Sequence, residues 1–169
     1  FKNQQPTENW IAQLKSPSPA ARFAAMDALG EKPSTDSIAK ALRGILEHQE
    51  EERPYREKAA QVLGKLDHTI GDKALVAALK TAESPRLRST IASALGQGRA
   101  HHNEARVLRQ VATSDPRHAV RGAALNSLAH FDRNSALRIA RGILRRPAYP
   151  SLTLHKSCLL YTSDAADER

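Results

Sequence analysis

The sequence predicts an all-α fold, an α-solenoid of about four and a half stacked helical hairpins. Four segments share one pattern, in which Arg stands at the second position and Leu follows seven residues later; their Arg residues are 34, 32 and 33 positions apart. Apolar stripes at helical spacing fill the intervals between these segments. Only 4% of the residues are aromatic, so the core must consist of Leu, Ala, Ile and Val, which suits thin, stacked helices.

Each hairpin takes its first helix from an apolar stripe and its second helix from a repeat segment. Trp10, Ile11 and Leu14 mark a short helix at the start of the chain. The longer stripes are Ile38, Ala41, Leu42, Ile45 and Leu46; Leu75, Ala78, Leu79 and Ala82; Val107, Leu108, Val111 and Ala112; and Ala136, Ile139, Ala140, Ile143 and Leu144. The repeat segments occupy residues 21–30, 55–64, 87–96 and 120–129.

Helix boundaries are predicted from Pro, from capping side chains and from Gly. Prolines fall between the stripes, because a proline ring disrupts a helix interior. An acceptor side chain followed by Pro is a helix-start signal, and Ser16-Pro17 and Asp115-Pro116 each stand just ahead of a second helix. Gly follows the repeat Leu in three copies, where it predicts a helix that ends in a left-handed residue. These glycines are Gly30, Gly64 and Gly96.

The hairpins are predicted to stack into one array over residues 1–157. A single hairpin has too little apolar area to hold its shape, so each must bury a face against each neighbour. Small residues such as Ala25, Ala59 and Ala124 would let the helices approach closely. The chain lacks an initial Met, and the hairpin begun at 134–146 lacks its partner helix. We therefore expect an array truncated at both ends, with the last stripe partly bare and frayed.

Residues 158–169 are set apart from the array. The string CLLYTSDAADE, from Cys158 to Glu168, resembles the translated reading frame of a transposon-type sequencing-library adapter. This resemblance implies a non-native tail in which the single cysteine carries no function. A genuine acidic tail is the alternative.

The repeat pattern itself resembles a known family. Proline at the turn, Arg in the second helix and an Ala-Leu-Gly close, repeated at about 33 residues, resemble the short bacterial HEAT-like repeats over residues 7–146. The resemblance implies that the repeated Arg bonds to an acidic or carbonyl group near the preceding turn and forms a ladder along the stack. The residues predicted to be structural in this way are Arg22, Arg56, Arg88 and Arg121.

The amino-terminal segment has a narrower resemblance. Residues 1–30 are similar to the segment that joins the catalytic part of certain bacterial aminopeptidase N-like zinc metallopeptidases to their carboxy-terminal HEAT-like array. The likeness rests on Phe1, Gln5, Pro6, Thr7, Glu8, Trp10, Ile11, Gln13 and Leu14. It implies that this chain is a non-catalytic scaffold with a protein-binding surface, whose partner is its own missing catalytic domain or another protein.

The sequence contains no motif that supports catalysis. A metallopeptidase of this type needs His-Glu-x-x-His, which brings two imidazoles to one zinc, and no such string occurs. A Gly-x-Ser-x-Gly elbow and a glycine-rich phosphate loop are also absent from the sequence. The acidic run from Glu47 to Glu52 follows a helix and is predicted to be solvated. We predict no enzyme activity and no cofactor for this chain, with zinc confined to the suspected parent.

The basic carboxy-terminal half supports an alternative function. The net charge is +8, and Arg138, Arg141 and Arg145 follow at three- and four-residue steps, so that they form one ridge able to attract phosphates. The alternative is a stand-alone HEAT-repeat adaptor or a nucleic-acid-binding module, although aromatic residues for base stacking are scarce there. No apolar run approaches the roughly 20 residues of a membrane-spanning helix, and no membrane partner is predicted. The sequence assigns no compartment.

Overall fold

The structure is a computed structural model that describes residues 5–66, 68–98 and 102–145 together with Cys158. Within these residues the fold is all-α, as predicted. The helices are, in chain order, α1 (Thr7–Gln13), α2 (Pro19–Gly30), α3 (Asp36–Glu47), α4 (Arg53–Leu66), α5 (Thr69–Thr81), α6 (Pro85–Leu95), α7 (His102–Ser114), α8 (His118–Phe131) and α9 (Arg133–Leu144). Helices α1 to α8 pair into four hairpins and α9 follows as a single helix. An α-solenoid of stacked helical hairpins is confirmed.

The hairpins stack in two layers. The second-helix layer consists of α2, α4, α6 and α8, and each of these helices packs along the next. The first-helix layer consists of α1, α3, α5, α7 and α9. In this layer α3 packs extensively along α5, whereas α1 meets α3, and α5 meets α7, over only a short stretch. The looser packing leaves grooves between the first helices.

The helix starts differ in detail from the predicted capping pairs. Helix α2 begins at Pro19 with Ser18 as its cap, so the capping pair lies two residues after Ser16-Pro17. Helix α8 begins at His118, with Arg117 at the N-cap position. Asp115 Oδ1 accepts a hydrogen bond from the backbone N–H of Arg117 at 2.9 Å, and the same carboxylate also binds a repeat arginine.

The repeat leucines form the centre of the core. Their exposed fractions are 2% or less, and they are Leu29, Leu63, Leu95 and Leu128. The small residues predicted to permit close packing, Ala25, Ala59 and Ala124, are fully buried among them. Each large apolar side chain buried in this way stabilises the fold by roughly 1.5–3 kcal/mol. The core is therefore one continuous cluster that runs through all the hairpins.

The repeat glycines do not adopt the predicted left-handed conformation. Gly30 is the last residue of α2, and Gly64 lies inside α4. Gly96 caps α6 with φ −74° and ψ −11°, in the right-handed region. The prediction of left-handed helix ends at these positions is wrong, so another constraint must favour glycine here.

Close contact between neighbouring second helices explains Gly64 and Gly96. A Cβ at Gly64 would stand 2.9 Å from Ala94 Cα, and a Cβ at Gly96 would stand 2.6 Å from Ser127 Cβ. Both distances are too short for real atoms. In each case the contacted residue directly precedes the repeat Leu of the next hairpin. Glycine thus lets one second helix lie directly on the backbone of the next.

The last described helix is less bare than predicted. Ala136 and Ala140 of its stripe are fully buried, and Ile143 is 6% exposed. Ile139 and Leu144 are partly buried against the same core. This covering arises because α9 packs against α8 and, to a lesser extent, against α7.

Cys158 is fully buried and belongs to the same core. Burial raises the pKa of its thiol to about 11, and the positive charge of Arg121 opposes that shift. The rest of the predicted adapter-derived tail, 159–169, lies outside the described residues. The division into 1–157 and 158–169 therefore stays a prediction.

Candidate functional site

Two of the repeat arginines join the helices of their own hairpin. Arg56 Nε donates to the carbonyl oxygen of Leu46 at 3.0 Å, and Arg121 Nε donates to that of Ala112 at 3.2 Å. Both carbonyls belong to the last turn of a first helix, where backbone oxygens lack intrahelical partners. A cation is also favoured at this end of the helix dipole. The two side chains thus supply hydrogen-bond donors to the carboxy-terminal ends of α3 and α7.

Arg88 joins one hairpin to the next. Its Nη1 donates to the carbonyl oxygens of Ala82 at 3.1 Å and Glu83 at 2.8 Å, which follow α5. Its Nε and Nη2 donate to the two carboxylate oxygens of Asp115 at 2.8 and 3.2 Å. The Asp115 side chain, in the turn after α7, is only 7% exposed. A planar guanidinium is suited to this two-pronged contact, which fixes the relative position of two hairpins.

Arg22 makes a corresponding contact at the other end of the array. Its Nη2 donates to Glu51 Oε2 at 2.6 Å, in the turn before α4. The Arg22 guanidinium carbon also lies 3.7 Å from the centroid of the Tyr55 ring, which stacks on Phe23 with centroids 5.1 Å apart. Such a cation–π contact adds to the ion pair. The hydrogen bond between the pair raises the pKa of Arg22 and lowers the pKa of Glu51.

The lowered pKa of Glu51 predicts acid-sensitive stability. A carboxyl group whose pKa is lower in the folded state stabilises the fold above its unfolded pKa and loses that effect as pH falls through the folded pKa. We expect Glu51→Gln to lower the free energy of unfolding by about 1–2 kcal/mol at neutral pH. The difference from the unmodified protein should shrink below about pH 4.3, the ordinary pKa of Glu.

Urea unfolding at about pH 7 and about pH 3 measures this difference. Asp132 also has a lowered pKa, chiefly because of its hydrogen bonds with Ser135, so both proteins lose stability in acid. An equal gap between the two proteins at both pH values would show that the ion pair of Glu51 is not the cause.

The acidic partners were not identified from the sequence. Glu51 belongs to the run that was expected to be solvated, and Asp115 was assigned to a helix start. Both lie in the hairpin after their arginine, 29 and 27 residues further along the chain. An acidic residue at this distance from the repeat Arg is the signal that could have revealed them.

The predicted basic ridge lies on the exposed side of α9. Arg138, Arg141 and Arg145 are all exposed. Arg138 Nη2 is 3.4 Å from Ser135 Oγ, a neutral group on the same helix. Among the described residues, none of the three arginines has a carboxylate within 4.0 Å. These charges are therefore available to a partner.

Two grooves open in the first-helix layer. One, of about 370 Å³, lies between α1 and α3; apolar side chains such as Ile11, Leu14 and Ile45 line it, and the pair Arg22 and Glu51 adjoins it. The other, of about 250 Å³, lies between α5 and α7. Both occur where the first helices meet over only a short stretch.

The described residues contain no group of three or more His, Cys, Asp or Glu side chains arranged to hold a metal ion. None of the helices in this part of the chain is long and apolar enough to cross a bilayer.

Sequence comparison identifies the family. HEAT repeats match the chain over residues 7–96 and 72–153. The chain therefore belongs to the HEAT-repeat family, in agreement with its stacked hairpins. Curated protein sequences yield no match to it.

Solved structures share this fold. The complex of CpcE and CpcF of phycocyanin lyase from Nostoc sp. PCC7120 matches 94% of this chain and 64% of that chain, with 21% identity and a TM-score of 0.70. Human deoxyhypusine hydroxylase in complex with glycerol matches 76% of this chain and 44% of that chain, with 27% identity and a TM-score of 0.65. The chain thus spans less than two thirds of each of these structures.

Proposed function

We propose that this chain is a non-catalytic α-helical scaffold that binds another protein. The principal support is the use of the repeat arginines inside the array. Arg22 and Arg88 bind carboxylates of the next hairpin, while Arg56 and Arg121 bind carbonyl groups of their own hairpin. The most regularly repeated polar side chains therefore hold the hairpins and their stacking together, and the exposed helix layers are left for a partner.

We further propose that the array is the carboxy-terminal part of a zinc aminopeptidase and that the catalytic domain is its partner. The aminopeptidase-like segment supports this proposal, since its residues Pro6 to Leu14 form α1 together with both ends of that helix. The open apolar groove lies directly beside α1. Zinc would then belong to the catalytic domain.

The coding sequence upstream of Phe1 tests this parentage. We expect a reading frame that contains His-Glu-x-x-His and a more distant Glu, the ligand pattern of a zinc peptidase. An upstream frame that contains only further repeats, or a start codon directly before the array, would exclude the peptidase parent. It would leave a stand-alone adaptor.

Cross-linking of the intact protein tests the contact itself. Lys15 lines the groove beside α1, whereas Lys65 is exposed in the second-helix layer. An amine-reactive cross-linker is expected to join Lys15 to the catalytic domain. Lys65 is the internal control, because cross-links from Lys65 alone would place the catalytic domain on the opposite layer.

Nucleic-acid binding is the second candidate, and the exposed ridge of Arg138, Arg141 and Arg145 supports it. Binding through phosphates weakens steeply as salt rises, because bound counterions are released. Titration of a DNA duplex at about 50 mM and about 200 mM salt tests this candidate. An affinity that is undetectable, or that does not depend on salt, would exclude it.

A further inference from the structure

The first helices of the hairpins share a second repeated pattern, in addition to the Arg and Leu pattern of the second helices. Basic residues recur at equivalent positions of α3, α5, α7 and α9, at intervals of 33, 33 and 32 residues. All four are exposed, and we call them the cation row: Lys40, Lys73, Arg106 and Arg138. Helices in contact lie about 8–10 Å apart, and α5, α7 and α9 meet over only a short stretch, so successive members of this row are separated by about 10 Å, the upper end of that range.

A row of mostly small residues lies beside the cation row. It has the same intervals and is also exposed; we call it the small row, and it consists of Gly44, Ala77, Gln110 and Gly142. Gly44 and Gly142 stand inside α3 and α9, where glycine weakens a helix. A Cβ at either glycine would meet nothing within 4 Å. Packing among the described residues therefore gives no reason for glycine at these two positions.

From α5 onward, exposed cations outnumber exposed carboxylates in this layer. The acidic residues of α5 and α7, Asp72 and Glu104, are 5% and 6% exposed, and α9 contains none. The exposed cations on these helices are Lys73, Lys80, Arg106, Arg133, Arg138 and Arg141, and Arg145 directly follows α9. The carboxylate of Asp132, directly before α9, lies 3.9 Å from Arg109. On α3, in contrast, Lys40 pairs with Asp36 at 3.5 Å. The first-helix layer thus presents a positive surface along α5, α7 and α9.

The spacing of the row fits an acidic polypeptide. An extended polyproline II segment turns once in three residues with a rise of about 3.1 Å each, so every third side chain recurs at about 9 Å on one face. This repeat is close to the helix spacing. Carboxylates at every third residue could therefore meet successive members of the cation row while the backbone lies over the small row.

The same surface is less suited to nucleic acid. Duplex DNA carries one charge per about 1.7 Å of its axis, so the spacing of its phosphates does not correspond to cations that are separated by one helix spacing. Helices α5, α7 and α9 contain no aromatic residue on which unpaired bases could stack. These observations favour a protein ligand.

We propose that the first-helix layer of α5, α7 and α9 binds an extended acidic segment of a partner protein, with the cation row meeting its carboxylates. This inference rests on the proposed function as a protein-binding scaffold and names the chemistry of the partner. Specificity then comes from the spacing of the carboxylates and not from their number.

Fluorescence anisotropy with the full chain tests the spacing. The probe is a labelled peptide of about 15 residues with Glu at every third position among Pro and Ala, which favour extended chain. Its comparison peptide has the same composition with all Glu residues adjacent. At about 50 mM salt, where charges are weakly screened, the regular peptide is expected to bind about five-fold more tightly. Equal affinities would overturn the proposal.

Three variants test the surface. The double substitution Arg106→Gln and Arg138→Gln should weaken binding of the regular peptide by about five-fold. The control pair, Lys65→Gln and Arg117→Gln, removes the same charge from exposed positions elsewhere and should change the affinity by less than about two-fold. Gly142→Leu changes no charge, and its Cβ meets nothing within 4 Å, yet the variant should weaken binding by about five-fold because the leucine blocks the small row.

Other outcomes overturn the proposal. Unchanged binding by Gly142→Leu would show general charge attraction only, and absence of binding by either peptide would exclude the surface. A DNA duplex that binds more tightly than the peptide, and that loses affinity with Arg106→Gln and Arg138→Gln, would make the surface a nucleic-acid interface. None of these results changes the test of the upstream coding sequence, so failure of this inference and of the peptidase parentage are separable.

Discussion

Replacing Arg88 by alanine is expected to lower the free energy of unfolding by about 3 kcal/mol. The substitution removes hydrogen bonds to two carbonyl oxygens and both contacts to the carboxylate of Asp115. Asp115, 7% exposed at its side chain, would then keep a nearly buried charge without its main partner. Removing one member of a buried ion pair costs about 3–5 kcal/mol, and the 15% exposure of Arg88 places the effect at the lower end. Urea unfolding at neutral pH measures the change.

Arg86→Ala is the matched control. Arg86 stands on the same helix, but its side chain is 73% exposed and its contact is a 3.3 Å ion pair with Glu57. Glu57, 13% exposed at its side chain, keeps Arg53 at 3.4 Å as a second partner, so loss of the exposed Arg86 should change stability by no more than about 1 kcal/mol. Arg88→Lys should lower the free energy of unfolding by an amount between those of Arg86→Ala and Arg88→Ala, because lysine keeps the positive charge but lacks the planar guanidinium. Equal effects of Arg86→Ala and Arg88→Ala would contradict a specific role for Arg88 between hairpins.

The helices and their stacking could be predicted because each depends on local periodicity. The stripe of Ile38, Leu42 and Leu46 places three side chains on one side of a helix, and all three are fully buried in α3. The four-fold recurrence of Arg and Leu then fixes the order of the hairpins, since each repeat leucine must enter the same core. These signals need no knowledge of the neighbouring hairpin.

The partners of the repeat arginines could not be predicted because they lie in another hairpin. Glu51 stands in a run of acidic residues that has the composition of a solvated turn. Its role follows from the stacking of α2 on α4, which brings the turn before α4 to Arg22. Asp115 has the local sequence of a helix cap, Asp followed by Pro, yet it binds Arg88 across the hairpin boundary. Position within the stack, and not local sequence, decides these contacts.

The repeat glycines are another case in which local sequence does not reveal a requirement set by the neighbouring hairpin. Gly after Leu at the end of an apolar segment is typical of a helix cap, and the caps were predicted on that basis. Gly64, however, is followed by two further residues of α4. Its requirement comes from Ala94 of α6, whose backbone occupies the space of a side chain. Only the distance between two helices reveals this requirement.

Gly64→Ala is therefore expected to destabilise the protein by about 2 kcal/mol. In an isolated helix alanine would be favoured over glycine by about 1 kcal/mol. Here the new Cβ would lie 2.9 Å from Ala94 Cα, and a backbone atom cannot turn aside as a flexible side chain could. Overpacking of this kind costs about 1–3 kcal/mol and occasionally more, because the helices must separate. Thermal and urea unfolding of the variant measure the loss.

Gly44→Ala is the same kind of substitution, but we expect it to change stability in the opposite direction. Gly44 also lies inside a helix, but a Cβ there meets nothing within 4 Å. Only the helix preference acts at this position, and the variant should gain up to about 1 kcal/mol. Opposite signs at Gly64 and Gly44 would show that close contact between α4 and α6 requires the repeat glycine. A gain at both positions would mean that these helices can separate without cost, and the glycine would then have no role in packing.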